Sequence, residues 1–115
     1  MIKKKYRIKK IKEFNFMFRN GKRQNQPTLT MITTKAYLPY SRFGISISGK
    51  IGNAVVRNKI KRRIRYAINE YLKESTKIDK KNYIFVARQG IEKNSYQELK
   101  KNVYVLFNRC KNEHH

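Results

Sequence analysis

Lys50-Ile51-Gly52-Asn53-Ala54-Val55-Val56-Arg57-Asn58-Lys59-Ile60-Lys61-Arg62-Arg63-Ile64-Arg65 holds seven Lys or Arg in sixteen residues and no Asp or Glu. Between the cations, Val56, Ile60 and Ile64 recur, and Ala67, Ile68 and Tyr71 continue the series on a three-and-four spacing. That period predicts a helix from about Asn53 to Lys73 with one buried face, Asn53 behind Gly52 serving as its N-cap. With Ile60 at zero and about 100° per residue, the apolar positions span about −40° to +80°. Asn58, Lys61, Arg62 and Arg65 cluster at about 100° to 200°, on the far side. Arg57 stands on the boundary, and Lys59 and Arg63 lie on the opposite flank. Solvated helix faces usually alternate Glu with Lys for i,i+4 support. Here no acid appears before Glu70, so the ridge reads as a surface for a polyanion.

The whole chain shares this bias. Its 115 residues carry 29 Lys or Arg against 7 Asp or Glu, a net charge of +22. Such self-repulsion is relieved when phosphates bind and condensed counterions leave, which favours nucleic acid as the partner. A membrane-surface role would need an exposed apolar helix face, and the apolar faces here are committed to a core. The length suits one domain, residues 1–115. One cysteine, Cys110, leaves no disulfide framework or zinc set. No signal peptide or membrane span can be read, so the expected location is cytoplasmic.

Outward from the basic helix, residues 1–10 carry six cations and read as a mobile or RNA-contacting arm. Ile11, Phe14, Met17 and Phe18 form the stripe of a short helix that Gly21 stops; on spacing alone that stripe is core before it is a ligand platform, with Phe16 off it and more exposed. Lys22 to Pro27 is polar and turn-like. Thr28 to Tyr37 is rich in β-branched residues and reads as a strand, and Arg42 to Ser48 alternates with Phe43, Ile45 and Ile47 on one face. These two strands are expected to pair as a hairpin across Pro39. Glu74 to Asn82 reads as a charged linker, and Tyr83 to Arg88 as a buried strand ended by Gly90. Ser95 and Glu98 have capping-box spacing ahead of a helix with Tyr96, Leu99, Val103, Leu106 and Cys110 on one stripe. Residues 111–115 are expected to be a disordered tail. The order α-β-β-α-β-α, with the first strand region open to division into two, argues for an α+β sandwich.

Catalytic chemistry is hard to find. Gly44 to Lys50 fits the first seven positions of a phosphate-binding loop, but Ile51 stands where a Ser or Thr must hold magnesium, and the residues between alternate like a strand. His114 and His115 are the last residues and read as an untethered end with no third group to orient them. Cys110 falls on an apolar stripe and reads as core. The acids Glu13, Glu70, Glu74, Asp79, Glu92, Glu98 and Glu113 form no close pair of the kind a two-metal nuclease needs. Eight Tyr and six Phe, several beside cations, are what a single-strand binder needs. A structural ribosomal or assembly protein would share the basic helix, and a metal-dependent nuclease would need the clustered carboxylates that are missing.

Ile51-Gly52-Asn53-Ala54-Val55, Arg57-Asn58, Lys61-Arg62 and Arg65 resemble the signature of the bacterial ribonuclease P protein subunit, I-G-N-A-V-x-R-N-R-x-K-R-x-x-R, with Lys59 in place of the usual Arg. The spacing of Phe14, Phe18 and Gly21, the strand at Arg42 to Ser48, and Asp79, Tyr83, Ala87 and Arg88 agree along nearly the whole chain. The resemblance implies an antiparallel-rich mixed sheet with a long basic helix and a left-handed β-α-β crossover, a fold shared with a domain of elongation factor G. It implies that a partner RNA, working with magnesium, cuts the 5′ leader from precursor tRNA, and that the protein has no cofactor, catalytic residue or metal site of its own. It also implies no membrane and no obligate protein partner. Arg57, Asn58, Lys59, Lys61, Arg62 and Arg65 carry over as the RNA-contacting set. Phe14 and Phe18 carry over as walls of a cleft for the single-stranded leader, against the core reading of their stripe. Ile32 falls where some relatives place a cleft tyrosine. Lys59 keeps the charge of Arg without its bidentate fork.

Overall fold

The run Tyr83 to Val86 is apolar at every position, which a strand tolerates only when both its faces are covered. In a computed structural model of the chain, which describes residues 3–74 and 78–112, it is the inner part of β4 (Lys81–Ala87). The other elements are α1 (Ile11–Asn20), β1 (Lys22–Gln26), β2 (Leu29–Lys35), β3 (Arg42–Ile47), α2 (Ala54–Glu74) and α3 (Tyr96–Asn112). The four strands form one sheet in the order β1-β2-β4-β3. β4 runs antiparallel to β2, with Met31 opposite Phe85, and parallel to β3, with Ile45 opposite Phe85. The β3-α2-β4 segment is therefore a crossover, and the basic helix is its crossing element.

This arrangement corrects two expectations. β2 and β3 do not pair as a hairpin; β4 lies between them, because a strand apolar on both faces belongs inside the sheet. The polar stretch after α1 is not a turn but β1, which pairs with β2 through the two-residue connection Pro27-Thr28. Its side chains are polar because it is the edge strand. No non-glycine residue among those described has positive φ, so this turn lacks the Asn-Gly type of signal that marks most two-residue hairpins. The hairpin is held from within and from outside: Thr30 of β2 donates to Asn25 Oδ1 of β1 at 2.8 Å, and Arg109 of α3 donates to the Asn25 carbonyl at 2.9 Å.

Strand alternation divides the interior in two. Leu29, Met31, Phe43, Tyr83, Phe85 and Ala87 face α2 and α3, where they meet Ile60, Ile64, Ala67, Ile68, Leu99, Val103, Leu106 and Phe107. Ile32 and Ile84 face the other way, onto Met17 of α1 and Ile8. The domain is thus a mixed α+β layer structure with a large core under two helices and a small one under the third. Phe107 is the centre of the larger core. Its ring stacks on Tyr71 at 4.5 Å and meets Phe43, Tyr83 and Phe85 edge-on.

Helix ends follow their local chemistry. Asn53 caps α2, its Oδ1 accepting from the Val56 amide at 3.0 Å. Ser95 and Glu98 form the reciprocal capping box, at 3.2 and 3.3 Å. Gly21 ends α1 in extended backbone, and a Cβ there would lie 2.3 Å from Ile32 Cγ2, so close packing and not a left-handed turn demands the glycine. Ile11, expected on the buried stripe, is 76% exposed, and Phe16 is exposed as read. Cys110 is buried, with Lys81 Nζ 3.6 Å from its sulfur. Part of the expected linker, Lys81 and Asn82, is already β4. Lys111 and Asn112, placed in the expected tail (residues 111–115), belong to α3; Glu113, His114 and His115 lie outside the described residues. No helix among the described residues is long and apolar enough to cross a membrane.

Candidate nucleic-acid interface

The buried face of α2 is the one its periodicity gives: Ile60, Ile64, Ala67, Ile68 and Tyr71. Tyr71 also donates to Asn108 Oδ1 of α3 at 2.8 Å, which fixes the rotation of the helix. The remaining arc is cationic. Asn58, Lys59 and Arg62 are exposed, while Arg57, Lys61 and Arg65 are half-buried along the shoulders. Arg57 Nε is shielded from solvent with no hydrogen-bond partner among the described residues.

One shoulder of α2 forms a wall of a cleft of about 260 Å³. Lys61 and Arg65 line it from α2, Gly44 and Ile45 from β3, Phe14 from α1, and Arg7 and Lys9 from the N-terminal segment. That segment is not a free arm at this point. The Ile8 amide donates to the Phe43 carbonyl at 2.8 Å, Arg7 bridges to Phe43 along the open edge of β3, and Ile8 is buried. Four cations thus converge, and no carboxylate lines the cleft. Burial, and after it the charge of Arg7, pulls the Arg65 pKa below its ordinary value. Like charges gathered in a partly desolvated concavity repel one another, and an arriving phosphate would remove that repulsion.

Phe14 has two environments. Its ring edge lies over the β3 backbone, where a Cβ at Gly44 would stand 2.9 Å from Phe14 Cζ. It also packs against the small core, yet remains half-exposed where it meets the cleft. One face of the ring is therefore core, as its stripe predicts, and the other is open to the cleft. Phe18, one turn further on, packs against the same small core and lies 5.8 Å from the Arg23 guanidinium, outside the cleft lined by Phe14. Ile32 is fully buried beneath α1, in the core and not in a cleft wall.

A clip that the sequence did not disclose holds α1 in place. Arg42, at the start of β3, grips Glu13 with two donors at 2.6 and 2.9 Å. Tyr37 donates to the same carboxylate and accepts from Arg42 at 2.8 Å. The Arg42 hydrogen bonds hold the Glu13 carboxyl below its usual pKa. Twenty-nine residues separate the partners, so no local pattern could have announced the pair.

The near-match to a phosphate-binding loop is absorbed by β3, where Gly44 to Ile47 are ladder residues. Among the described residues no group of three His, Cys, Asp or Glu is placed to hold a metal. Several acids have other partners: Glu70 pairs with Lys100 at 2.7 Å, and Glu74 accepts from Tyr104 at 2.9 Å.

A family model for ribonuclease P matches residues 2–111. The ribonuclease P protein component of Bacillus cereus (strain 03BB102) is 44% identical over 110 residues, covering 94% of this chain and 93% of that protein. Among solved structures, a Staphylococcus aureus ribonuclease P protein, a mutant with defective mRNA degradation activity, superposes with a TM-score of 0.84 at 31% identity. That match covers 94% of this chain and 90% of the other. The Thermotoga maritima ribonuclease P protein shares the fold at a TM-score of 0.79, 23% identity and coverage of 90% and 96%.

Proposed function

The chain belongs to the ribonuclease P protein family, and from that premise we propose that it is the RNA-binding subunit that holds the catalytic RNA and the 5′ leader of precursor tRNA. As a ribonuclease P protein component it is part of an endoribonuclease. In this reading the cut is made by the RNA subunit with its magnesium, and the protein supplies binding and orientation. Asn58 and Arg62 on the crest of α2, with Arg57, Lys59, Lys61 and Arg65 on its shoulders, contact the backbone of the RNA subunit. The cleft takes the leader: Arg7 and Lys9 neutralise its phosphates, Lys61 and Arg65 form the wall it shares with the RNA subunit, and the open face of Phe14 stacks on an unpaired base. Phe18 extends the aromatic edge of α1 beyond the cleft. The observation that carries this reading is the meeting of four cations and a half-exposed ring in one concavity with no carboxylate in its lining.

The test is cleavage of precursor tRNA by RNA alone, protein alone and both together. Protein alone should be inactive. At near-physiological magnesium the mixture should process the substrate faster and with a lower KM than RNA alone. Magnesium-dependent cleavage by RNA-free protein would overturn the assignment of catalysis to the RNA, and an unchanged KM would overturn the assignment of leader binding to this chain.

A further inference from the structure

The other shoulder of α2 carries a second aromatic surface that the cleft does not use. Lys59, Arg62, Arg63 and Tyr66 follow one another at i, i+3, i+4 and i+7, so they share a helical face. With Tyr96, the first residue of α3, they line an open depression of about 400 Å³. Tyr66 is 59% exposed and meets Tyr96 edge-to-face, the ring centroids 6.0 Å apart at 78°. Tyr96 is held still by its hydroxyl, which donates to Glu70 at 2.6 Å, while Glu70 is gripped by Lys100 at 2.7 Å. The platform is therefore braced from below and open above.

Its charge is one-signed. Three cations rim the depression and no carboxylate lines it. Neighbouring acids are otherwise engaged: Glu70 as described, Glu98 in the capping box with Ser95, and Glu92, in the adjoining depression, accepting from the Gly90 amide at 3.2 Å. An isolated exposed tyrosine would need no explanation. A braced tyrosine at the floor of a cationic depression has the two parts of a single-strand nucleic-acid site, a π-face for a base and cations for the flanking phosphates.

We propose that Tyr66, braced by Tyr96 and rimmed by Lys59, Arg62 and Arg63, is a stacking site for an unpaired base of the RNA subunit, distinct from the leader cleft. This rests on the reading of α2 as the RNA-binding helix. Because Tyr66 lies on the shoulder of α2 away from Phe14, Lys61 and Arg65, the two sites face different strands, and the RNA that spans the crest of α2 is the one that reaches Tyr66. An exposed π-face among cations suits an unpaired nucleotide, whose base is free to stack.

The test uses the full chain and the RNA subunit. Tyr66→Ala should weaken binding about 5- to 150-fold, the fold-change that loss of one base–aromatic stack gives. The slope of log K against log salt should not change, since no charge is removed. Tyr66→Phe should bind as wild type, because stacking needs the ring and not the hydroxyl. Tyr66 is mostly exposed, so thermal melting of both variants should match wild type. The chain has no tryptophan, so Tyr66→Trp introduces a single reporter whose fluorescence should be quenched on adding the RNA subunit and not on adding precursor tRNA alone. Unchanged affinity in Tyr66→Ala, or quenching by precursor tRNA alone, would overturn the proposal. Arg62→Ala/Arg65→Ala, measured alongside, separates the two levels of the argument. If that variant loses affinity while Tyr66→Ala does not, only the stacking site falls; if neither does, the reading of α2 as the RNA face falls with it.

Discussion

Phe107→Ala is expected to destabilise the protein by about 3 to 5 kcal/mol, the cost of deleting a large aromatic from a packed core. Phe107 is 1% exposed and touches four other rings: Tyr71 of α2, Phe43 of β3, and Tyr83 and Phe85 of β4. Removing it leaves a cavity at the point where α2, α3 and the sheet meet, and those rings cannot collapse inward without breaking their own contacts. The hydroxyl of Tyr71 is bonded to Asn108, which further limits relaxation. Since Tyr71 sets the rotation of α2, the same change should loosen the basic ridge. Urea denaturation followed by far-UV circular dichroism measures the loss directly. Phe107→Leu, which keeps most of the volume, should cost clearly less. A loss below about 1 kcal/mol for Phe107→Ala would mean that this ring is not the keystone of the core.

Phe14→Ala should weaken precursor tRNA binding by about 1 to 3 kcal/mol, the value of one base–aromatic stack. Affinity for mature tRNA, which has no leader, should hardly move. Because the ring is half-buried over Gly44 and beside Ile8, truncation should also cost roughly 1 to 2 kcal/mol of stability, about half the value of full burial and repacking. The two effects are separable: denaturation midpoints report the packed side of the ring, and the ratio of precursor to mature affinity reports the open side. Phe18→Ala, outside the cleft, should shift that ratio less than Phe14→Ala does. A folded Phe14→Ala protein that prefers precursor over mature tRNA as strongly as wild type would remove Phe14 from the leader site.

What could be read from the residues was set by local repetition. The faces of α2 and α3, the Asn53 cap, and the Ser95–Glu98 box are periodic or short-range, and all stand in the structure where the spacing puts them. Phe107 escaped because it lies one residue beyond Leu106 and widens a stripe that the three-and-four count draws too narrowly. β1 escaped because an edge strand with polar side chains leaves no alternation, and Pro27-Thr28 lacks the Gly or Asn that marks a two-residue hairpin. The insertion of β4 between β2 and β3 is a non-local choice. Its clue was present in the unbroken apolar run from Tyr83 to Val86, which requires neighbours on both sides. The candidate site divides in the same way. The α2 cations were legible as a face, whereas Arg7, Lys9 and the Glu13–Arg42 clip meet them only through tertiary folding. Tyr6 and Ile8, standing among six cations, were the local signs that the N-terminal segment docks.

The claim on which the rest depends is that the α2 ridge binds RNA phosphates. Its most direct test is the salt dependence of RNA-subunit affinity for wild type and for Arg62→Ala/Arg65→Ala. Arg62 is exposed and Arg65 half-buried on the cleft shoulder, so the double variant should keep its fold, which circular dichroism can verify. Loss of two phosphate contacts should reduce the magnitude of the slope of log K against log salt by about 1.5 to 2. A folded double variant with the wild-type slope would show that the ridge is solvated surface and would contradict the account.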